Sequence, residues 1–161
     1  DSILAQSYQN FEFIIIDDAS TDNSWKILKE YASVHPKIKL LRNKWNEKQA
    51  RAVTRAMDVA RGEFIARMDA DDISFPHRLD MQVNYLLKNK KTVAVGGQCI
   101  LIDKEGNVTG EKRFPVKSEN IYKYAFKFCP VQQPSLMIAR KRRSEGRRGG
   151  KEGRSRWSPD H

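Results

Sequence analysis

Three aspartates, Asp69, Asp71 and Asp72, close the segment EFIARMDADD, directly behind an apolar run of the kind that builds a sheet core. Like charges at the end of a buried strand repel one another and lose solvent, so such a cluster needs water, hydrogen bonds or a cation to persist. Two carboxylates one residue apart in a turn can place oxygens on one hard cation, magnesium or manganese, and leave positions for phosphate oxygens and water. A calcium loop fails on count, because the sixth and twelfth positions from Asp69 are Ser74 and Asp80 where glycine and glutamate are required. A solvated turn capping the next helix remains open for this motif taken alone. A second acidic pair, Asp17 and Asp18, ends the run FEFIII and is followed by ASTDNSW, where helix capping again competes with a binding role.

These acids need elements to hold them. Phe11–Ile16 is apolar but for Glu12 and short enough to be a strand buried on both faces. Trp25, Leu28, Tyr31 and Ala32 recur at helical spacing before Pro36, and KIKLL is a second strand. Residues 47–60 predict a helix with Ala50, Val53, Met57 and Ala60 on one face, closed by Gly62. EFIARM is a third strand, and FPHRLDMQVNYLL is the helix beyond it, with proline near its first turn. TVAVGGQCILID, the turn KEGN and VTGEKRF predict strands joined by a hairpin, and Ser135–Ala139 a last strand. Alternating strand and helix predict an α/β layer with a mostly parallel sheet, whose ligands gather at the carboxyl ends of the strands. Both acidic clusters stand at such ends.

With 161 residues and 39% hydrophobic content the chain suits one globular domain. The formal charge of +10 is concentrated at one end, since Arg140–His161 carries nine Lys/Arg against three Asp/Glu and the rest is close to balanced. A nucleic-acid or anionic-surface binding module is therefore a reading for the Arg-rich end, with salt-sensitive affinity as its signature. Residues 140–161 lack apolar periodicity and are expected to be poorly ordered. Cys99 and Cys129 have no metal-ligand spacing, and a reducing compartment is expected. His35 and His77, each beside a proline, are assigned to structure. Apolar runs such as FIII are too short to span a bilayer and no leader pattern opens the chain, so a cytoplasmic protein without a signal peptide is expected.

SILAQSYQNFEFIIIDDASTDNS followed by ARGEFIARMDADDISFPHRLDMQ resembles the nucleotide-binding half of the family 2 glycosyltransferases, inverting enzymes with the GT-A fold. The resemblance covers residues 1–139, and GGQCILIDKEGNVTGEKRFP and QQPSLMI fit the bacterial members that build surface polysaccharides. It implies a Rossmann-like mixed sheet flanked by helices, here lacking the first family strand because the chain starts inside the helix that follows it. It also implies a divalent metal, Mn2+ or Mg2+, a nucleotide-sugar donor carrying uridine diphosphate, and a glycan or lipid-linked acceptor. Nucleic acid is not an expected partner, and a peripheral association with the inner face of the cell membrane is compatible with such an acceptor.

Position by position, Asp18 matches the residue that contacts the base, Asp69 the one near ribose and diphosphate, and Asp71 the metal ligand beside it. The family's catalytic base is an aspartate about ten residues beyond a Gly-Gly pair. Gly149–Gly150 and Asp160 keep that spacing, although the intervening residues are mostly Arg, Lys, Gly and Ser, as a frameshifted interval or chance would leave them. Relatives commonly have glycine where Gln49 or Ala50 stands and many have histidine at Gln133. A nucleotidyltransferase, which sets metal-binding carboxylates on a similar sheet, is the alternative enzyme and would release pyrophosphate.

Overall fold

β1 (Phe13–Asp17) takes its stiffness from three consecutive isoleucines, whose branched side chains favour extended backbone. The structure is a computed structural model that describes residues 1–140, so Gly149–Gly150, Asp160 and the rest of the basic end lie outside the described residues. α1 (Ser24–Val34) carries the chain over to β2 (Ile38–Arg42), which pairs with β1 in parallel from Phe13 opposite Ile38 to Asp17 opposite Arg42. Parallel pairing requires such a crossover. The residues of α1 chosen by their spacing, Trp25, Leu28, Tyr31 and Ala32, are its half-buried face.

α2 (Lys48–Val59) turns Val53, Met57 and Val59 inward but leaves Ala50 exposed, one turn away from its predicted face. β3 (Phe64–Ala66) ends three residues before Asp69. α3 begins at Arg78 and runs to Lys88. Pro76 stands two residues before this helix, near its first turn as expected, and its carbonyl accepts the Ser7 amide at 2.9 Å.

The predicted strand across residues 92–103 is two, β4 (Ala94–Val95) and β5 (Cys99–Ile102). It breaks at Gly96–Gly97, where the Gly97 amide leaves strand pairing to donate to Ser135 Oγ at 3.0 Å. β5 forms the expected hairpin with β6 (Val108–Lys112), and Gly106 supplies its left-handed turn position at φ 88°. α4 (Ser118–Ala125) was not predicted. The last strand, β7 (Met137–Ala139), starts two residues late because Gln133–Ser135 form a tight 3-10 turn.

The strands are mixed, as the resemblance implied, yet among the described residues only β1–β2 is parallel; β7 runs antiparallel between β3 and β4. The expectation of a mostly parallel sheet gives way because β7 enters from the end opposite to β3, placing Phe64 against Ala139. The hydrogen-bonded groups β1–β2, β3–β7–β4 and β5–β6 are separate among the described residues, so β1 and β3 each keep one edge unpaired. The core sits where α3 covers β7: Leu79, Val83, Leu86 and Met137 are buried, with Tyr8, Phe11, Phe64 and Val95 against them. Both cysteines are free.

Candidate functional site

Asp17 and Asp18 divide their work at the end of β1. Asp17 is buried, with Oδ1 accepting the Ser20 amide at 3.3 Å and Oδ2 forming a 2.8 Å ion pair to Arg42 Nε whose angle falls short of a hydrogen bond. Its register partner on β2 is that same Arg42. Asp18 Oδ1 accepts Asn43 Nδ2 at 2.7 Å and the Glu47 amide at 2.9 Å, while Oδ2 accepts the Lys48 amide at 2.9 Å. Those amides are the free donors at the start of α2, so Asp18 caps a helix almost thirty residues away instead of the one that follows it. The Asn43 side chain first, and then the Glu47 amide, hold its carboxyl below the ordinary range.

Two non-glycine residues take left-handed backbone around this contact, Ala19 at φ 61° and Lys48 at φ 70°. Lys48, next to Gln49 and Ala50, is one position where glycine would relax the backbone, and Ala19 is the other.

Asp69 is half-buried beyond β3, and its Oδ1 accepts Arg67 Nη2 at 3.1 Å and Gln49 Nε2 at 3.4 Å. Asp71 is exposed, and among the described residues no hydrogen bond or ion pair reaches its carboxylate. Desolvation, and then the charges of Asp71 and Asp69, push the Asp72 carboxyl above its ordinary value, with Arg78 opposing them.

The first turn of α2 joins the two acidic strand ends. Glu47 and Lys48 donate to Asp18 while Gln49 reaches Asp69. Two further residues shape the turn that holds the aspartates. Arg78, largely buried, donates Nη2 to the Arg67 carbonyl at 2.6 Å, Nη1 to Met68 Sδ at 3.4 Å and Nε to Gln82 Oε1 at 3.3 Å. Gln6, 1% exposed, accepts the Leu79 amide at 3.0 Å and donates Nε2 to the Phe75 carbonyl at 2.8 Å, Ser74 Oγ at 3.2 Å and the Ser2 carbonyl at 3.0 Å. The sequence reading missed Arg67, Arg78 and Gln6. Only Arg67, a charge inside the apolar run EFIARM, carried a local signal.

Beside Asp69 lies an open cavity of about 250 Å³ whose walls include Gln49, Arg67, Lys112, Phe114 and Gln133. Gln133 Oε1 accepts Arg67 Nη1 at 2.7 Å, and Arg67 Nε is buried without a partner. His77 bonds Ser7 Oγ at 3.0 Å through Nδ1 and His35 packs its ring against Tyr31, in keeping with structural roles.

Among the described residues no three His, Cys, Asp or Glu side chains converge as a metal cage. Asp69 and Asp71 instead suit a cation completed by phosphate oxygens and water: two hard donors in one turn, one unpaired, in a cluster with excess negative charge. No helix among the described residues is long and apolar enough to cross a membrane.

The chain is 41% identical over 131 residues to EpsE, a Bacillus subtilis protein named as a glycosyltransferase, covering 80% of this chain and 47% of that protein. It is 34% identical over 140 residues to WfgD of Escherichia coli, a UDP-Glc:alpha-D-GlcNAc-diphosphoundecaprenol beta-1,3-glucosyltransferase, covering 86% of this chain and 53% of WfgD. This chain thus spans about half the length of these relatives. Among solved structures, the mannosyltransferase PcManGT of Pyrobaculum calidifontis, in complex with GDP-Man and Mn2+, superposes with a TM-score of 0.61 at 20% identity, over 87% of this chain and 39% of that one. That likeness establishes the fold as GT-A. Residues 1–145 match the family described as Glycosyl transferase family 2, and the chain belongs to that family.

Proposed function

We propose that residues 1–139 are the donor-binding part of an enzyme that moves a sugar from a nucleotide-diphospho-sugar to a hydroxyl of a glycan or lipid-linked acceptor in surface-polysaccharide synthesis, with residues 140–161 a basic extension. The observation that carries it is the first turn of α2, which holds Asp18 and Asp69 at one edge of the fold. A nucleotide-sugar has a base at one end and a diphosphate at the other, and this edge offers a hydrogen-bond acceptor and an acidic pair in matching order. The donor and metal seen with PcManGT, and the donor and lipid-linked acceptor in WfgD's name, support the reading.

Asp18 faces the base, a uracil in the favoured donor, with Oδ2 keeping acceptor capacity beyond the Lys48 amide. Asp69 lies toward the ribose and diphosphate, and with Asp71 it holds Mn2+ or Mg2+. When bound, the ion neutralises charge that gathers on the departing nucleoside diphosphate. Arg67, oriented by Asp69 and Gln133, presents one of the cavity wall's two cations, with Lys112, next to that charge. A carboxylate removes the proton from the acceptor hydroxyl as the new bond forms, and this single displacement inverts the sugar's anomeric centre. Asp160, outside the described residues, is the candidate base.

Calorimetric titration of the chain and of Asp71→Asn with uridine diphosphate and manganese tests the reading, with guanosine diphosphate as comparison. Metal-dependent binding should disappear in the variant while its circular dichroism and melting stay close to those of the parent. Unchanged metal-dependent binding in Asp71→Asn overturns the site.

A further inference from the structure

We infer that the segment Val116–Phe128, which contains α4, docks on an anionic lipid surface and presents the cavity beside Asp69 to it. Its most exposed large apolar side chains face away from the protein. Phe126 is 96% exposed, Val116 82% and Tyr122 75%, whereas Asn120, Ile121 and Tyr124 form the side turned toward the fold. Tyr122 and Phe126 are four residues apart on one helical face, and Lys123 and Lys127 flank that face.

Charge selects the partner. Among the described residues Lys117, Lys123 and Lys127 have no acidic ion-pair partner and outnumber the segment's single acid, Glu119; Lys123 also lies over the Tyr124 ring at 6.0 Å, and nearby Arg113 is paired to Glu111 at 2.7 Å. Aromatic rings between unpaired lysines match the boundary between acyl chains and anionic headgroups, where rings enter the interface and ammonium groups stay at the phosphates. The segment is continuous in sequence with the cavity at both ends, since Phe114 lies just before it and Cys129 just after, and both line the cavity. A membrane under α4 thus borders the cavity beside Asp69, so a lipid-linked acceptor held in that membrane meets the donor site there. The inference rests on the proposed lipid-linked acceptor only for that last step.

Co-sedimentation of the 161-residue chain with phosphatidylglycerol–phosphatidylcholine vesicles, and with phosphatidylcholine alone, tests it. Binding should require the anionic lipid, and Val116→Ser/Phe126→Ser and Lys117→Glu/Lys123→Glu/Lys127→Glu should each lower the partition coefficient at least tenfold. These side chains are on the surface and outside the site, so circular dichroism should not change. If both variants bind like the parent, the attraction belongs to the Arg-rich residues 140–161 and the inference is overturned. It is also overturned if the parent sediments as a dimer that Phe126→Ser converts to monomer, because the apolar face then belongs to a second copy. A parent that fails to bind metal and nucleotide, yet needs Phe126 for vesicle binding, sinks the donor-site reading and upholds this one.

Discussion

The β1–β2 layer and the α3–β7 core start from similarly apolar sequence and reach different depths. Phe13–Ile16 is as apolar a run as the chain contains, yet each of its residues is only half-buried, and no residue of α1 or α2 is buried. α3 buries Leu79, Gln82, Val83 and Leu86 on one face. The difference lies in neighbours. β7 has a strand on each side and α3 above, whereas among the described residues β1 has α2 against it but pairs with β2 alone. Apolar sequence supplies surface that can be buried, and the number of elements arriving to cover it decides how much burial is realised.

The strongest test of that contrast is a pair of truncations. Leu86→Ala, at a site with 0% exposure, should cost about 2–5 kcal/mol in denaturant unfolding. Ile15→Ala in β1 should cost less than half as much, because solvent already reaches the side chain; equal losses would erase the distinction. Next in size, Gln6→Leu strands the Leu79 amide and the Phe75 carbonyl at the junction of the aspartate turn and the core. A loss of about 1–3 kcal/mol is expected, with faster hydrogen exchange at the start of α3 as the local readout.

A smaller effect of opposite sign tests the β1–β2 side. Lys48→Gly should stabilise the chain by about 1 kcal/mol, since φ 70° strains any residue with a β-carbon. A lower melting temperature in that variant would mean that the Lys48 side chain offsets the strain.

The smallest effects separate the two acidic clusters by pH. The Asp18 carboxyl is lowered, so its contribution is present above the ordinary carboxylate range and is lost as pH falls through its folded value. The Asp72 carboxyl is raised, so its ionisation opposes folding above that raised value and the penalty disappears below the ordinary aspartate range. Melting curves from pH 3 to 7 should therefore show Asp18→Asn less stable than the parent at neutral pH and Asp72→Asn more stable, with both differences shrinking on acidification. Identical pH profiles would mean that the two clusters experience the same field.

The family, and with it the order of strands and helices apart from α4 and the break between β4 and β5, was legible because it depends on spacing along the chain. Leu79, Val83 and Leu86 share a face through the pitch of a helix, and Gly106 is the residue a tight hairpin turn needs wherever the hairpin lies. The acids could be read as standing at strand ends for the same reason. The antiparallel position of β7, the capping of α2 by Asp18, the bridge from Gln49 to Asp69 and the support of the aspartate turn by Arg78 and Gln6 were decided only by the tertiary structure. Each joins residues whose partners no local period specifies: Gln6 meets the Leu79 amide across 73 positions because helix packing brings an otherwise unsatisfied donor to the buried amide group.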